Sequence, residues 1–382
     1  MLYAELQNGK RINAVEYSLD FEKRKRIQVE TSFFCPGCKE RIFLKNGNQK
    51  VAHFSHYRES DCHSFSEGET HAHLIGKIKL WEWCKSQGLS VEMEAWLPSL
   101  QQRPDLLITL TDSKKIAIEY QCSPISFKKL KERTEGYHSI GYEVLWICGV
   151  EYIPGNRLKD KQTNFYTWSD HFGCCLTCLD SDKELIIHYR CFTFNQWDRL
   201  EYVVEKQKLE ELNFIDFWEE YTGGGVKKEH SLVLRNSHKQ RMMKHSDKVY
   251  LLYKKDEPHR KFLEKIYLNR QTIQSLPDFL FAYPTKSIYW QTPGYIWKYA
   301  FLRYLVSLEE GKLINNEMIF YFLEQCKENQ VIKLRSMNFV PNKCFIKPLF
   351  IFLNELVEEG ILTVIGEEMW FLNREKLKRM IN

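Results

Sequence analysis

Between Arg103 and Gln121 the chain runs RPDLLITLTDSKKIAIEYQ, in which two apolar, β-rich runs, LLITL and IAIEY, flank the turn-compatible TDSKK. The pattern predicts a hairpin that brings Asp105, at the start of one strand, close across the ladder to Glu119, near the end of the next. Upstream, SEGETHAHLIGKIKLWEWCKSQG has a helical period, with Ser66 and Glu69 at capping-box spacing and Gly88 as a stop. Glu69, His73 and Lys77 recur every four residues and so share one helix face, with Leu74, Ile78 and Trp81 as the buried stripe beside it. A strand at 91–97, a helix across 125–138 and a strand at 142–148 complete an αβββαβ order.

The same reading divides the rest of the chain. The segment LTCLDSDKELIIHY predicts a hairpin turning at 180–182, with apolar faces that bury its cysteines as small core residues. Its Cys175, Cys178, His188 and Cys191 form a weaker metal-ligand pattern. Gly223, Gly224 and Gly225 mark a linker, and beyond it helices are expected at 261–275, 295–309, 316–328 and 347–359. The end of the chain reads as a helix leading into a hairpin near Gly366, an arrangement that resembles a winged helix. The expected organisation is an N-terminal β module at 1–65, a core at 66–150, a β-rich connecting segment at 151–222 and a basic, mainly helical domain at 223–382.

Composition narrows the class. The 382 residues are 43% hydrophobic, ample for real cores, and no apolar run approaches the length of a membrane span. Twelve cysteines without an opening signal peptide suggest thiols and metal ligands in the cytoplasm rather than disulfides. The net charge of +5 is unevenly placed: 226–270 holds thirteen Lys and Arg against five Asp and Glu, leaving the remainder at −3. Lys227, Lys228, Lys239, Arg241 and Lys244 in this stretch could track a phosphate backbone; a solvated basic face is the alternative. Tyr289, Trp290, Tyr295, Trp297 and Tyr299 suit a core, although one or two at a surface could stack unpaired bases.

Two constellations carry candidate chemistry. Paired carboxylates at one end of a sheet hold hard divalent cations such as Mg²⁺ or Mn²⁺ for phosphodiester hydrolysis, and Gln121, on the face of Glu119, reaches a water bound there. A structural ion pair and a solvated edge strand are the alternatives for Asp105 and Glu119. The second constellation is Cys35-Pro-Gly-Cys38 followed by His53-Phe-Ser-His56. Two thiolates and two imidazoles at these spacings suit a closed tetrahedral structural Zn²⁺ site, which stands in for a core too small to fold alone. Cys62 or His63 lies near enough to replace a ligand.

The CPGC and AHFSH segments, GETHAHLIGK, RPDLLI, IEYQCS and RTEGYHSIGYEVLWI together resemble the competence protein CoiA family, a branch of the PD-(D/E)xK nucleases. The resemblance covers about residues 1–150 with specific motifs and the rest more loosely. It implies a restriction-endonuclease-like α/β core with an N-terminal zinc module. It further implies that Asp105 and Glu119 ligate Mg²⁺, with the Tyr120 carbonyl as a third ligand, that Glu69 supports the metal or its water, and that Gln121 orients the attacking water. His73 and Lys77 would neutralise the scissile phosphate, and Arg133 and Tyr137 would form a second phosphate-facing pair. Gln121 stands where many such nucleases have Lys. The implied activity is hydrolysis of DNA, single-stranded or branched, in natural transformation and homologous recombination beside proteins such as RecA. A non-catalytic DNA-binding accessory that assists recombinase loading is the alternative, and a zinc-dependent transcription factor would leave the carboxylates unexplained.

Overall fold

A computed structural model describes residues 1–14, 17, 32–47, 50–57, 70–222 and 241–381. Short alternating segments near the N-terminus, β1 (Tyr3–Glu5), β2 (Arg11–Asn13), β3 (Phe33–Phe34), β4 (Arg41–Gly47) and β5 (Lys50–His56), pair antiparallel into a sheet of order β2-β1-β3-β4-β5. Among the described residues its core is small: Met1, Ala4, Ala14, Cys35, Ile42, Ala52 and Phe54.

The next stretch folds in the expected order. Helix α1 (His71–Ser86) is followed by β6 (Ser90–Met93), β7 (Leu106–Thr109), β8 (Lys115–Gln121), helix α2 (Phe127–Ser139) and β9 (Glu143–Gly149). β6, β7 and β8 form an antiparallel meander, and the α2 crossover returns the chain to set β9 parallel to β8. Thr70 caps α1, its Oγ1 accepting from the His73 N–H at 3.2 Å, so the helix starts later than the Ser66 and Glu69 spacing predicts; both of those residues lie outside the described ones. Alternation along β8 sends Ile116, Ile118 and Tyr120 into the core beneath α1 and Ala117 into the core shared with Leu130 and Tyr137 of α2. Gly76 lets α1 lie directly on the sheet, because a Cβ there would fall 2.0 Å from the Tyr120 ring.

The connecting segment continues this sheet. β10 (Thr167–Ser169), β11 (Gly173–Asp180), β12 (Leu185–Phe194) and β13 (Leu200–Lys208) extend it to eight strands, with β11 parallel to β9, and α3 (Phe214–Tyr221) packs Phe214 and Phe217 against Trp83. The β11–β12 hairpin turns where the sequence predicts, and Cys174 and Cys178 are buried core residues.

The C-terminal region is helical around a three-stranded sheet: α4 (Glu257–Leu268), α5 (Gly294–Ser307), β14 (Leu313–Asn315), α6 (Asn316–Glu328), α7 (Lys347–Glu358), β15 (Leu362–Gly366), β16 (Met369–Leu372) and α8 (Arg374–Ile381). The succession from α5 to β16, with sheet order β14-β16-β15, is a winged-helix arrangement. Trp290, Tyr295, Trp297 and Tyr299 are buried in its core, which removes them as stacking surfaces for bases. Among the described residues, the exposed aromatics of the basic stretch are instead Tyr250, Tyr253 and Tyr267. Ile288, Met337 and Phe345 join the core that contains Cys174, Leu176 and Trp146, so this region packs on the large sheet.

Candidate active site and metal centre

The register of the β7–β8 hairpin pairs Leu106 with Ile118, and its continuation by one residue sets Asp105 opposite Glu119. Asp105 precedes the first paired residue of β7, where side chains of α1 can reach it. One of its oxygens accepts from the Tyr120 backbone N–H at 2.8 Å and lies 3.1 Å from His73 Nε2, while the other stands 3.7 Å from Lys77 Nζ. Burial pushes the Asp105 carboxyl upward, but His73, Lys77 and the bond from Tyr120 outweigh it and hold the group well below the ordinary aspartate range.

Glu119 sits within β8, which is buried from Ile116 to Gln121. Its carboxylate accepts from the Arg133 guanidinium and from the Tyr137 hydroxyl, both on α2. Burial raises its pKa, and the charge on Asp105 adds to that, against the lowering effect of Arg133. Two acids on adjacent strands thus share one patch of field, one strongly ionised and the other resisting ionisation. Arg133 also donates to the Arg103 carbonyl at 3.0 Å. Gln121, two residues beyond Glu119 on the same face, donates from Nε2 to the Ser123 carbonyl at 2.7 Å.

Several expected roles change in this geometry. Lys77 is fully buried, with Nζ 2.6 Å from Glu94 Oε1, so it is built into the protein rather than presented to a phosphate. Arg133 and Tyr137, expected to face phosphate, hold Glu119 instead, and Tyr137 is completely buried. Ile78 and Trp81 are only partly buried; Leu74, Leu80, Trp83 and Cys84 carry the packing of α1. Glu69 lies outside the described residues. Sequence reasoning missed Glu94, because VEMEA alternates so that Glu92 and Glu94 read as the solvated side of a strand. The strand ends at Met93 and Glu94 turns inward in the left-handed region, φ 53°.

The second constellation also assembles differently. Cys35, Cys38 and His56 bring their ligand atoms within 4.8 Å of one another, with Cys38 Sγ 3.3 Å from His56 Nε2. His53 does not join them. It is three residues from His56 on β5, and an odd spacing on a strand sends the two imidazoles to opposite faces. Ala52 and Phe54, on the parity of His56, face the small core. Burial raises the Cys35 thiol, so a thiolate there calls for a cation beside it. Cys62 and His63 lie outside the described residues, and among the described residues this is the one such cluster. The Cys175, Cys178, His188 and Cys191 pattern does not assemble as a cluster of this kind: Cys175 and Cys178 are three apart on β11, and His188 is buried against Thr177 with its pKa pushed down to about 3.

Of the basic positions, Lys227, Lys228 and Lys239 lie outside the described residues; Lys244 is exposed, and Arg241 lies over the Tyr283 ring, 5.1 Å to its centroid. Among the described residues, no helix is long and apolar enough to cross a membrane.

A mixed sheet with helices on both faces and paired acids at one strand end defines a nuclease-like domain, and comparison with known proteins gives that class a family. Residues 69–222 match the nuclease-like domain of competence protein CoiA, residues 17–65 its N-terminal domain and residues 234–381 its C-terminal domain. The chain belongs to the competence protein CoiA family. It is 27% identical over 355 residues, 90% of each chain, to the Competence protein CoiA of Bacillus subtilis (strain 168). No solved structure matches the chain.

Proposed function

We propose that this protein is a metal-dependent deoxyribonuclease with a restriction-endonuclease-like core, in which Asp105 and Glu119 hold Mg²⁺ or Mn²⁺. The observation that carries this reading is the pairing of Asp105 with Glu119 at the end of the β7–β8 hairpin. The donor set fits a hard cation: two carboxylates and the Tyr120 carbonyl are all oxygen, and burial, with the Asp105 charge adding to it, raises the Glu119 pKa, a penalty that a cation would relieve. When bound, the ion lowers the pKa of water and neutralises charge on the phosphate. The protein supplies the rest. His73 orients Asp105, Gln121 offers its amide oxygen to the attacking water, and Arg133 and Tyr137 fix the Glu119 carboxylate. Cys35, Cys38 and His56 hold a structural Zn²⁺ with a fourth ligand, and the basic positions from Lys227 to Lys244 contribute sequence-independent DNA affinity.

The accessory reading has its own support. The Arg133 ion pair satisfies Glu119 internally, and Gln121 offers no charge where many related nucleases have Lys. One assay separates the two. Wild type should cleave single-stranded, duplex or branched DNA with Mg²⁺ or Mn²⁺, and Asp105→Ala and Glu119→Gln should each lose at least about a hundredfold in rate while retaining DNA binding, the scale seen when a preorganised charged group is removed. Equal cleavage by all three proteins would overturn the assignment of the site. Binding without cleavage by any of them would leave the accessory role.

A further inference from the structure

Glu94 is a buried acid, 1% exposed, that the nuclease reading does not use, and it gathers donors from two units of the protein. From the N-terminal sheet, the backbone N–H of Leu2 lies 2.9 Å from Oε2 and that of Tyr3 3.2 Å. From the nuclease-like domain, Lys77 Nζ donates to Oε1 at 2.6 Å and Arg103 Nη1 to Oε2 at 2.9 Å. Its own N–H donates to the Asp105 carbonyl at 2.9 Å. β2 adds a second clamp: Arg11 donates from Nη2 to the carbonyls of Met93 (3.2 Å) and Glu94 (3.0 Å) and pairs with Glu92. The Leu2 side chain belongs to the core beneath α1, not to the small core of its own sheet. A non-glycine residue kept at φ 53° needs surroundings that over-determine it, and these contacts do so.

We propose that Glu94 is a positioning residue through which the N-terminal Cys/His module sets the nuclease site. The module's first two strands hold residues 92–94; Glu94 then fixes Lys77, which stands 3.7 Å from the Asp105 carboxylate, and the Glu94 N–H holds the Asp105 carbonyl. A buried lysine that loses the carboxylate holding it must move, and the move withdraws its ammonium from Asp105. The state of Cys35, Cys38 and His56 therefore reaches Asp105 without touching it, through β1, Glu94 and Lys77. This inference rests on the nuclease reading for its catalytic consequence, but the coupling itself is measurable without cleavage.

The test uses the full chain and three variants. Glu94→Gln removes the charge while keeping an acceptor; Arg11→Ala cuts the clamp without altering a site residue; Cys38→Ser disables the module at its far end. Backbone hydrogen exchange at Leu2 and Tyr3, exchange in α1 around Lys77, Mn²⁺ titration by calorimetry and steady-state cleavage are read on each. In all three variants the amides around Lys77 should exchange faster and Mn²⁺ should bind about tenfold more weakly, the size expected for one charge-assisted hydrogen bond. Cleavage should lose about tenfold in kcat with KM for DNA unchanged, because ground-state DNA contacts lie elsewhere. Glu94→Asp should recover part of the loss. Unchanged exchange around Lys77 and unchanged Mn²⁺ affinity in Arg11→Ala and Cys38→Ser would overturn the coupling. If the wild type neither cleaves DNA nor binds Mn²⁺, the nuclease reading fails, and exchange around Lys77 alone then decides the coupling.

Discussion

The N-terminal module and the nuclease-like sheet each present a candidate metal centre, and they differ in what holds the centre together. Among the described residues, the core around Cys35, Cys38 and His56 is seven buried residues, three of them alanine, which give the ligands little apolar support. Around Asp105 the core beneath α1 alone draws on α1, β6 to β9, β11, β12 and α3, and contains three aromatic side chains from α1 and α3 that pack edge to face. In the first unit a metal would contribute to folding; in the second the fold exists already and a metal would contribute to chemistry. The candidate ligand types follow suit, with soft sulfur and imidazole in the N-terminal module and hard oxygen at the paired acids.

The largest test of this contrast is removal of metal from each. Chelation, or Cys38→Ser, should cost the N-terminal module most of a binding free energy on the order of 10 kcal/mol, enough to unfold it. Circular dichroism and one-dimensional NMR should show loss of the module's signals while the melting of the large sheet persists. Asp105→Asn should leave the N-terminal module's signals in place and confine any loss of stability to the large sheet. Equal sensitivity of the two units to chelator would erase the distinction.

A smaller effect is expected in acid, measured on chelated protein by urea unfolding from neutral pH downward. Asp105 is held below the ordinary aspartate range when folded, so its contribution is complete above the unfolded pKa and is lost as pH falls through the folded one. Glu119 behaves in the opposite sense: its raised pKa means that the ionised form is disfavoured by folding, and protonation on the way down relieves that penalty. Asp105→Asn should therefore flatten the acid-side loss of stability and Glu119→Gln should steepen it. Parallel pH curves for the two variants would show that the acids share one environment.

The smallest effect concerns affinity rather than folding or chemistry. Neutralising Lys227, Lys228, Lys239, Arg241 and Lys244 together should reduce the slope of log affinity against log salt on duplex DNA by about 0.9 for each phosphate that is no longer paired with a cation. Arg241 already lies on Tyr283, so its share should be the least. A slope that does not move assigns the stretch to solvated surface.

The hairpin is legible in the sequence because its turn, its two apolar runs and the spacing from Asp105 to Glu119 all constrain one register, and the αβββαβ order follows from strong periodicity. Periodicity also puts Lys77 on the right face of α1, but not in the interior. Its burial depends on Glu94, and nothing local to VEMEA distinguishes an inward acid after the strand end from an outward one within it. The HxxH pair misleads for a related reason: spacing that suits a helix or loop separates two side chains across a strand, and only the pairing of Lys45 with His53 and Ile42 with His56 reveals which applies. Arg133 and Tyr137 group correctly one turn apart, yet whether such a pair faces outward or toward a buried strand is decided by how α2 docks.

The bond between Leu2 and Glu94 joins residues 92 positions apart in the chain. Closing so long a loop costs entropy before it returns any favourable interaction, so local pairings such as the β7–β8 hairpin form first and the clamp on residues 92–94 forms late. Interactions made after the folding barrier act on the rate of opening rather than on the rate of folding. The seam between the N-terminal strands and the nuclease-like domain is therefore where this protein should come apart first, and a protease or an unfolding force would find the chain's opening residues before it reached either acid.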